Sequence, residues 1–168
     1  NDKTYCFWSR QEDAITKDFA SLASHSWTKI GIDQQTPQEI APLTYYHINS
    51  LDLYNSAKNI LALHEGSFLN TTVKGFITAE STVIDTEGGS YEGEVIYDGR
   101  PPSREDSNPS YQNILQSFIG YKITLNGKKL DPTACTLMDF NVDQQEQTQF
   151  IYVLPFSEDT ALVELTRF

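Results

Sequence analysis

Residues 150–168, FIYVLPFSEDTALVELTRF, constrain the fold of this chain more than any other stretch. Two strongly apolar runs flank a polar turn. Runs rich in branched and aromatic residues on either side of such a turn predict a pair of strands. The second run holds a single carboxylate, Glu164. Strand alternation puts Leu162, Glu164 and Thr166 on one face and Ala161, Val163 and Leu165 on the other. An acid in that position is either a solvated strand residue, as most strand carboxylates are, or a desolvated proton donor.

Strand-like runs recur upstream, at Phe118–Leu125 and Thr136–Val142. From Ser67 the chain is rich in Val, Ile, Thr and aromatics. Glu87-Gly88-Gly89 supplies a turn signal, so a β-meander is predicted over 67–98, with Val95–Tyr97 in its last strand. Residues 1–10 are aromatic-rich, through Tyr5, Phe7 and Trp8. The polar stretch 11–45, broken by Pro37 and Pro42, reads as short helix, loop and strand. Ser50 looks like the N-cap of a helix over 51–64, in which Leu53, Ala57, Ile60, Leu61 and His64 fall at helical spacing and Gly66 supplies the stop. Residues 99–110, GRPPSREDSNPS, hold three of the seven prolines and read as a linker or mobile loop. Asn126-Gly127 is a hairpin turn signal, and DQQEQTQ (143–149) reads as a solvated hairpin loop. The expectation is an α+β fold, mainly antiparallel sheet with one or two helices, divided into 1–100 and 101–168.

Composition narrows the function. The chain has 168 residues, enough for one ordinary core, and a net charge of -11. That charge argues against nucleic acid, whose recognition needs clustered Lys and Arg. Cys6 and Cys135 lie far apart with no CxxC, so a zinc site is not expected and two free thiols are the default. His25, His47 and His64 share no metal-ligand spacing. Asn70-Thr71-Thr72 is a sequon without other secretory signals. No apolar run approaches the ~18 residues of a spanning helix. There is no GxGxxG, so nothing in the chain is expected to cradle a pyrophosphate.

Five segments, NDKTYCFW (1–8), EVIYDGRPP (94–102), QSFIGYKI (116–123), TLMDFNVDQQ (136–145) and 150–168, resemble in order and spacing the lycopene β-cyclases of bacterial carotenoid synthesis. That family is similar to the two-domain flavin hydroxylases and reductases. The resemblance implies a central fragment, with part of an FAD-binding domain over 1–100 and part of a substrate-binding β-sheet domain over 101–168. The missing N- and C-terminal parts of the same protein would complete it. It also implies reduced FAD with NAD(P)H as reductant, lycopene or a related C40 carotenoid as substrate, and a cytoplasmic enzyme peripheral to the inner face of the membrane. No flavin is expected on these residues alone, and activity of the isolated piece is not expected either. Bare sheet edges left by truncation predict self-association.

The implied chemistry is a net non-redox cyclisation. A proton adds to a terminal alkene, the carbocation closes a six-membered ring, and a neighbouring proton leaves. Glu164 is the implied acid, its pKa raised by apolar neighbours. Leu165 stands where some members carry a second acid. Asp139, in the apolar context LMDF, is the second catalytic candidate, with a turn cap as its plain alternative. Asp98 and Arg100 are candidates for flavin contact, against an ordinary β-turn. Phe118, Phe140, Phe150, Tyr152 and Phe156 are candidates to line the polyene and face the cation, against ordinary strand core. Two other functions stay open on sequence alone: a flavin-dependent polyisoprenoid reductase, and a non-enzymatic lipid-binding β-domain.

Overall fold

The computed structural model describes residues 4–78, 82–100, 114–127 and 129–168. It contains two compact units. One is built from Asn1–Ala57 together with Asn113–Phe168, and the other is Lys58–Gln112. The chain thus leaves the first unit and returns to it, where the sequence reading cut it once, at 100/101.

In the first unit the chain runs β1 (Thr4–Arg10), α1 (Ala14–Phe19), a single 3-10 turn, β2 (His25–Trp27), β3 (Lys29–Ile32), β4 (Gln38–Glu39) and β5 (Leu43–Asn49). Helix α2 (Ser50–Leu63) follows, and the unit boundary falls inside it. The second unit carries β6 (Val73–Thr78), β7 (Thr82–Thr86) and β8 (Gly89–Gly93), paired in order as the predicted meander. Its hairpin turns at Gly89, whose φ of 135° only glycine adopts readily. Back in the first unit come β9 (Ser117–Thr124), β10 (Ala134–Asp139), β11 (Gln149–Pro155) and β12 (Thr160–Arg167).

The first unit holds two sheets. One has the order β1-β5-β2, the other β4-β3-β10-β11-β12-β9. Among the described residues every pairing is antiparallel except β3 with β10, which run parallel. A parallel pair needs a long crossover, and the excursion through the second unit supplies it. The α+β class and the closing β11–β12 pair are as the sequence implied.

Trp27 anchors the core. It is fully buried, packs with Ile30, Cys135, Leu137 and Leu154, and donates its indole N–H to the Pro155 carbonyl at 2.8 Å. A buried Trp needs such a partner. This contact joins β2 of the small sheet to the end of β11 in the large one, so the two sheets face each other across this core.

Several local expectations are corrected. Helix α2 begins at Ser50 itself, and Asn49 Nδ2 donates to Asp52 Oδ2 at 2.9 Å ahead of its first turn. No residue of α2 is buried, despite its apolar spacing. The left-handed residue after the helix is Glu65 (φ 56°), not Gly66. Gly66 is needed for close approach: its N–H meets the Leu61 carbonyl at 2.6 Å, and a Cβ there would lie 2.9 Å from Leu61 Cδ2. Val95–Tyr97 is not a strand. β8 stops at Gly93, and Val95 and Tyr97 are exposed. Gly127 does take a turn conformation (φ 83°), but Asn126-Gly127 closes no hairpin. β9 instead pairs with β12 over its whole length, Ser117 with Arg167 through Thr124 with Thr160. Eight residues of ladder outweigh one local turn preference.

The polar loop before β11 is solvated as its composition suggested, with Asp143, Gln145, Glu146, Gln147 and Thr148 exposed, and it is held by one side chain. Gln149 is buried, and Gln144 acts as a second backbone. Gln144 Nε2 donates to the carbonyls of Phe140 (3.1 Å), Val142 (3.1 Å) and Gln149 (2.9 Å), while its Oε1 accepts from Gln149 N–H at 2.9 Å. A primary amide is the side chain that both donates and accepts in this way.

Candidate active site

Glu164 sits in the middle of β12, between Tyr152 on β11 and Gly120 on β9. Directly opposed strand residues share a face. One face of the large sheet therefore carries Phe118, Gly120 and Lys122 on β9, Leu162, Glu164 and Thr166 on β12, and Phe150, Tyr152 and Leu154 on β11. The alternation expected around Glu164 is the alternation observed.

Across from this face lies one side of the small sheet. Register places Thr4, Cys6 and Trp8 of β1 on the same side as Asn49, His47 and Tyr45 of β5, with His25 and Trp27 of β2. The two sheets do not close completely. A cleft runs between them in three connected stretches that share Thr4 and Leu162. The first, about 250 Å³, brings Cys6 and Tyr45 to Phe118, Tyr152, Glu164 and Thr166. The second, about 600 Å³, is lined by Phe118, Gly120, Lys122 and Glu164. The third, about 270 Å³, lies between His47, Asn49, Lys122 and Phe156. The middle stretch alone has the volume of an ordinary small-molecule pocket, roughly 300–1,000 Å³.

The Glu164 carboxyl is half-buried, and no hydrogen bond or ion pair engages it among the described residues. Burial alone pushes its pKa above the usual carboxylate value. Its neighbours are kept uncharged. Burial, then the Glu164 charge, raises the Tyr152 phenol. Burial raises the Cys6 thiol, partly offset by the polar Tyr45 hydroxyl beside it. Burial also raises Tyr45 itself. His47, with Nδ1 2.7 Å from Ser24 Oγ, is lowered by burial, then by His25. The arrangement is an acid that prefers its proton, in a cleft whose walls are neutral and aromatic apart from the Lys122 ammonium. Chemically it can protonate something too apolar to be protonated by water.

The structure gathers some of the other candidate residues here and not others. Tyr152 and Phe118 line the cleft beside Glu164. Phe156 lines its far end, with Lys122 Nζ 5.3 Å above its ring. Phe150 is buried on the same face and meets Tyr152 edge-on at 5.3 Å. Phe140 packs edge-on against Phe150 at 5.3 Å but lines no stretch of the cleft. Asp139 is not brought to Glu164. It pairs with Ile151, on the opposite face from Tyr152, and its Oδ1 accepts from Asn141 N–H at 2.9 Å.

Asp98 and Arg100 lie in the second unit and engage each other. Arg100 Nε and Nη2 reach Asp98 Oδ1 and Oδ2 at 2.9 and 3.0 Å, and the guanidinium stacks 4.5 Å above Phe76. Arg100 holds the Asp98 carboxyl below its usual range. Neither a metal nor a flavin diphosphate fits the described residues. No cluster of three or more His, Cys, Asp or Glu groups is present among them. A pyrophosphate needs free helix N-terminal N–H groups. Asp13 stands at the N-cap of α1 and Asp52 in the first turn of α2, and a carboxylate close to either end repels a phosphate.

Sequence reading missed Cys6, Tyr45 and Gly120. Gly120 had a signal, a glycine interrupting the apolar run QSFIGYKI. Nothing local links positions 6 and 45 to position 164, since they arrive on a different sheet.

The chain matches, over residues 1–168, the family model described as lycopene cyclase protein. It is also similar to a lycopene beta-cyclase of Pseudescherichia vulneris, at 30% identity over 167 residues. That alignment covers 96% of this chain and 41% of the relative, so the chain spans less than half of that protein's length.

Proposed function

The chain belongs to the lycopene cyclase family, and on that premise we propose that the whole protein closes the end rings of lycopene or a related C40 carotenoid, with Glu164 as the proton donor. The observation that carries this reading is the unpaired, desolvated Glu164 carboxyl facing a cleft with aromatic walls. The Glu164 O–H bond breaks as its proton joins the terminal carbon–carbon double bond. The tertiary cation is attacked by the next double bond along the chain, forming the six-membered ring and leaving a tertiary cation within it. A proton then leaves the carbon beside the new cation, giving a β ring. One proton is gained and one lost, so product and substrate are isomers and the reaction is an isomerisation with no net redox change.

The residues here contribute two things. Glu164 delivers the proton. Tyr152 and Phe118 present ring faces to the cation, an interaction worth about 0.5–2 kcal/mol per ring. The polyene, once seated in the cleft, would displace water that would otherwise trap the cation as an alcohol. The family's reduced flavin belongs to this proposal as a requirement of the whole protein. No step of the ring closure passes through it. The substrate lives in the bilayer, so the whole protein reaches the membrane surface. No described helix is long and apolar enough to cross one.

The test is Glu164→Gln in the full-length protein, expressed in lycopene-accumulating cells. Gln keeps the shape and removes the acid. Loss of cyclised carotenoid with normal protein level is expected, and near-normal ring formation would overturn the assignment. Product mass settles the reaction class. A cyclised product keeps the mass of lycopene, whereas reduction would add two hydrogens for each NAD(P)H consumed.

A further inference from the structure

Gly120 faces Glu164 directly across the β9–β12 ladder. A glycine inside a strand weakens it, and usually marks close approach of another group. Its backbone lies outside the left-handed region, so conformation does not demand glycine here. Space does. A Cβ at 120 would stand 3.2 Å from Leu162 Cδ1 and 3.5 Å from both Cβ and Oε2 of Glu164. The other strand glycines differ. At Gly75 a Cβ would meet nothing within 4 Å, and at Gly31 it would meet Gln35 O at 3.1 Å and Pro37 at 3.3 Å, away from the cleft.

The residues flanking Gly120 on the same face are Phe118 and Lys122, both long and both lining the cleft. The cleft face of β9 therefore reads large, absent, large. The absent side chain leaves a notch whose far wall is the Glu164 carboxyl. Proton transfer needs the accepting carbon at about 3–3.5 Å from the donor oxygen. A methyl at position 120 would sit in that same shell around Oε2.

We propose that Gly120 is the specificity-determining residue of the cleft, its missing side chain being the seat in which the branched, gem-dimethyl end of the polyene lies against Glu164 Oε2. This rests on the cyclase reading above. The notch admits an end group one alkene wide, between the Phe118 ring and the Lys122 stem, and the size of residue 120 sets whether that end reaches the acid.

A rival explanation is that glycine merely seats Leu162, the atom nearest its absent Cβ. The experiment separates the two in the purified full-length protein, with lycopene in detergent micelles as substrate. Gly120→Ala, Leu162→Ala, the double variant Gly120→Ala/Leu162→Ala, and Glu164→Gln are compared. The double variant removes the tight Leu162 contact but keeps the methyl beside the carboxyl. If Gly120 is the seat, kcat/KM for Gly120→Ala falls at least about tenfold, a modest share of the ~10²-fold that a small misplacement can cost. The double variant stays impaired relative to Leu162→Ala while melting like it. The limb of the pH–rate profile set by Glu164 also moves upward in both alanine-120 variants, because the methyl desolvates the acid further. Recovery of the double variant to the Leu162→Ala rate, or an unshifted pH limb with full activity in Gly120→Ala, would overturn the proposal. Either outcome would leave the cyclase reading intact provided Glu164→Gln is inactive. An active Glu164→Gln would sink that reading first, whatever residue 120 does.

Discussion

Glu164 and Asp139 begin as near equals, each a single acid inside an apolar strand segment, and the large sheet treats them oppositely. β12 runs uninterrupted past Glu164, pairing residue for residue with β11 and β9. β10 does not run uninterrupted past Asp139. Thr136 pairs with Val153 but Asp139 pairs with Ile151, so one extra residue is taken up between them. Met138, with φ 57°, is that bulge. In unbroken register Asp139 would oppose Phe150 and share the Tyr152 face. A slip of one residue sends every later side chain to the other side. Leu137 stays in the core with Trp27 and Leu154, and Asp139 turns away to cap the Asn141 amide. Two acids in similar sequence context end with different chemistry because one strand is bulged and the other is not.

The largest expected consequence is in turnover. Glu164→Ala in the full-length protein should lower ring formation by about 10²–10⁴-fold, the usual share of a general acid, whereas Asp139→Ala should leave it within about threefold. Carotenoid profiles of producing cells check both. Equal losses would erase the distinction between the two faces. The pH dependence follows from the raised pKa of Glu164. The acid must hold its proton to react, so activity is full below that pKa and falls as pH rises through it. The falling limb should be absent from whatever residual rate Glu164→Ala retains.

The bulge can be tested next. A residue near φ +57° costs roughly 1–2 kcal/mol relative to glycine, and a branched side chain does worse. Met138→Gly should therefore raise the unfolding midpoint, and Met138→Ile should lower stability by about 1–2 kcal/mol relative to Met. A gain from Ile would mean that the strand prefers to run straight, and that the account of Asp139 is wrong. One step smaller is the cap itself. Asp139→Ala should cost about 0.5–1.5 kcal/mol through the lost bond to Asn141 N–H. Asp139→Asn keeps an acceptor oxygen and should cost less. Equilibrium denaturation distinguishes the two.

This pair of acids also shows what could be read from the sequence and what could not. Period-two alternation located Glu164 on the face of Leu162 and Thr166, because an unbroken strand obeys a local rule. The same rule, carried along β10, would misplace every residue after Met138, since a bulge carries no signature in Leu-Met-Asp-Phe. The wall formed by Cys6 and Tyr45 was invisible for a different reason. It depends on which sheet packs on which, fixed by Trp27 reaching Pro155 from a strand far away in sequence. The turn at Asn126-Gly127 was legible and its partner strand was not, because pairing partners are chosen by whole ladders rather than by turns.

The smallest expected effect runs against the largest in sign. In the folded protein the Glu164 carboxyl keeps its proton to higher pH than in the unfolded chain, because burial penalises the charge. Between the two pKa values the folded state binds more protons than the unfolded one. Stability is therefore fullest below the unfolded pKa, falls as pH rises through the window, and stays at the lower level above the folded pKa. Glutamine cannot ionise and escapes that loss. Glu164→Gln should thus match the parent protein in acid and exceed it at neutral pH, while having lost its activity. The excess should be modest, because the half-buried carboxylate is still partly solvated. Urea midpoints of the full-length protein on either side of the window measure it. If the variant is no more stable than the parent at neutral pH, Glu164 is an ordinary solvated strand acid. Its separation from Asp139 would then be one of position without chemistry.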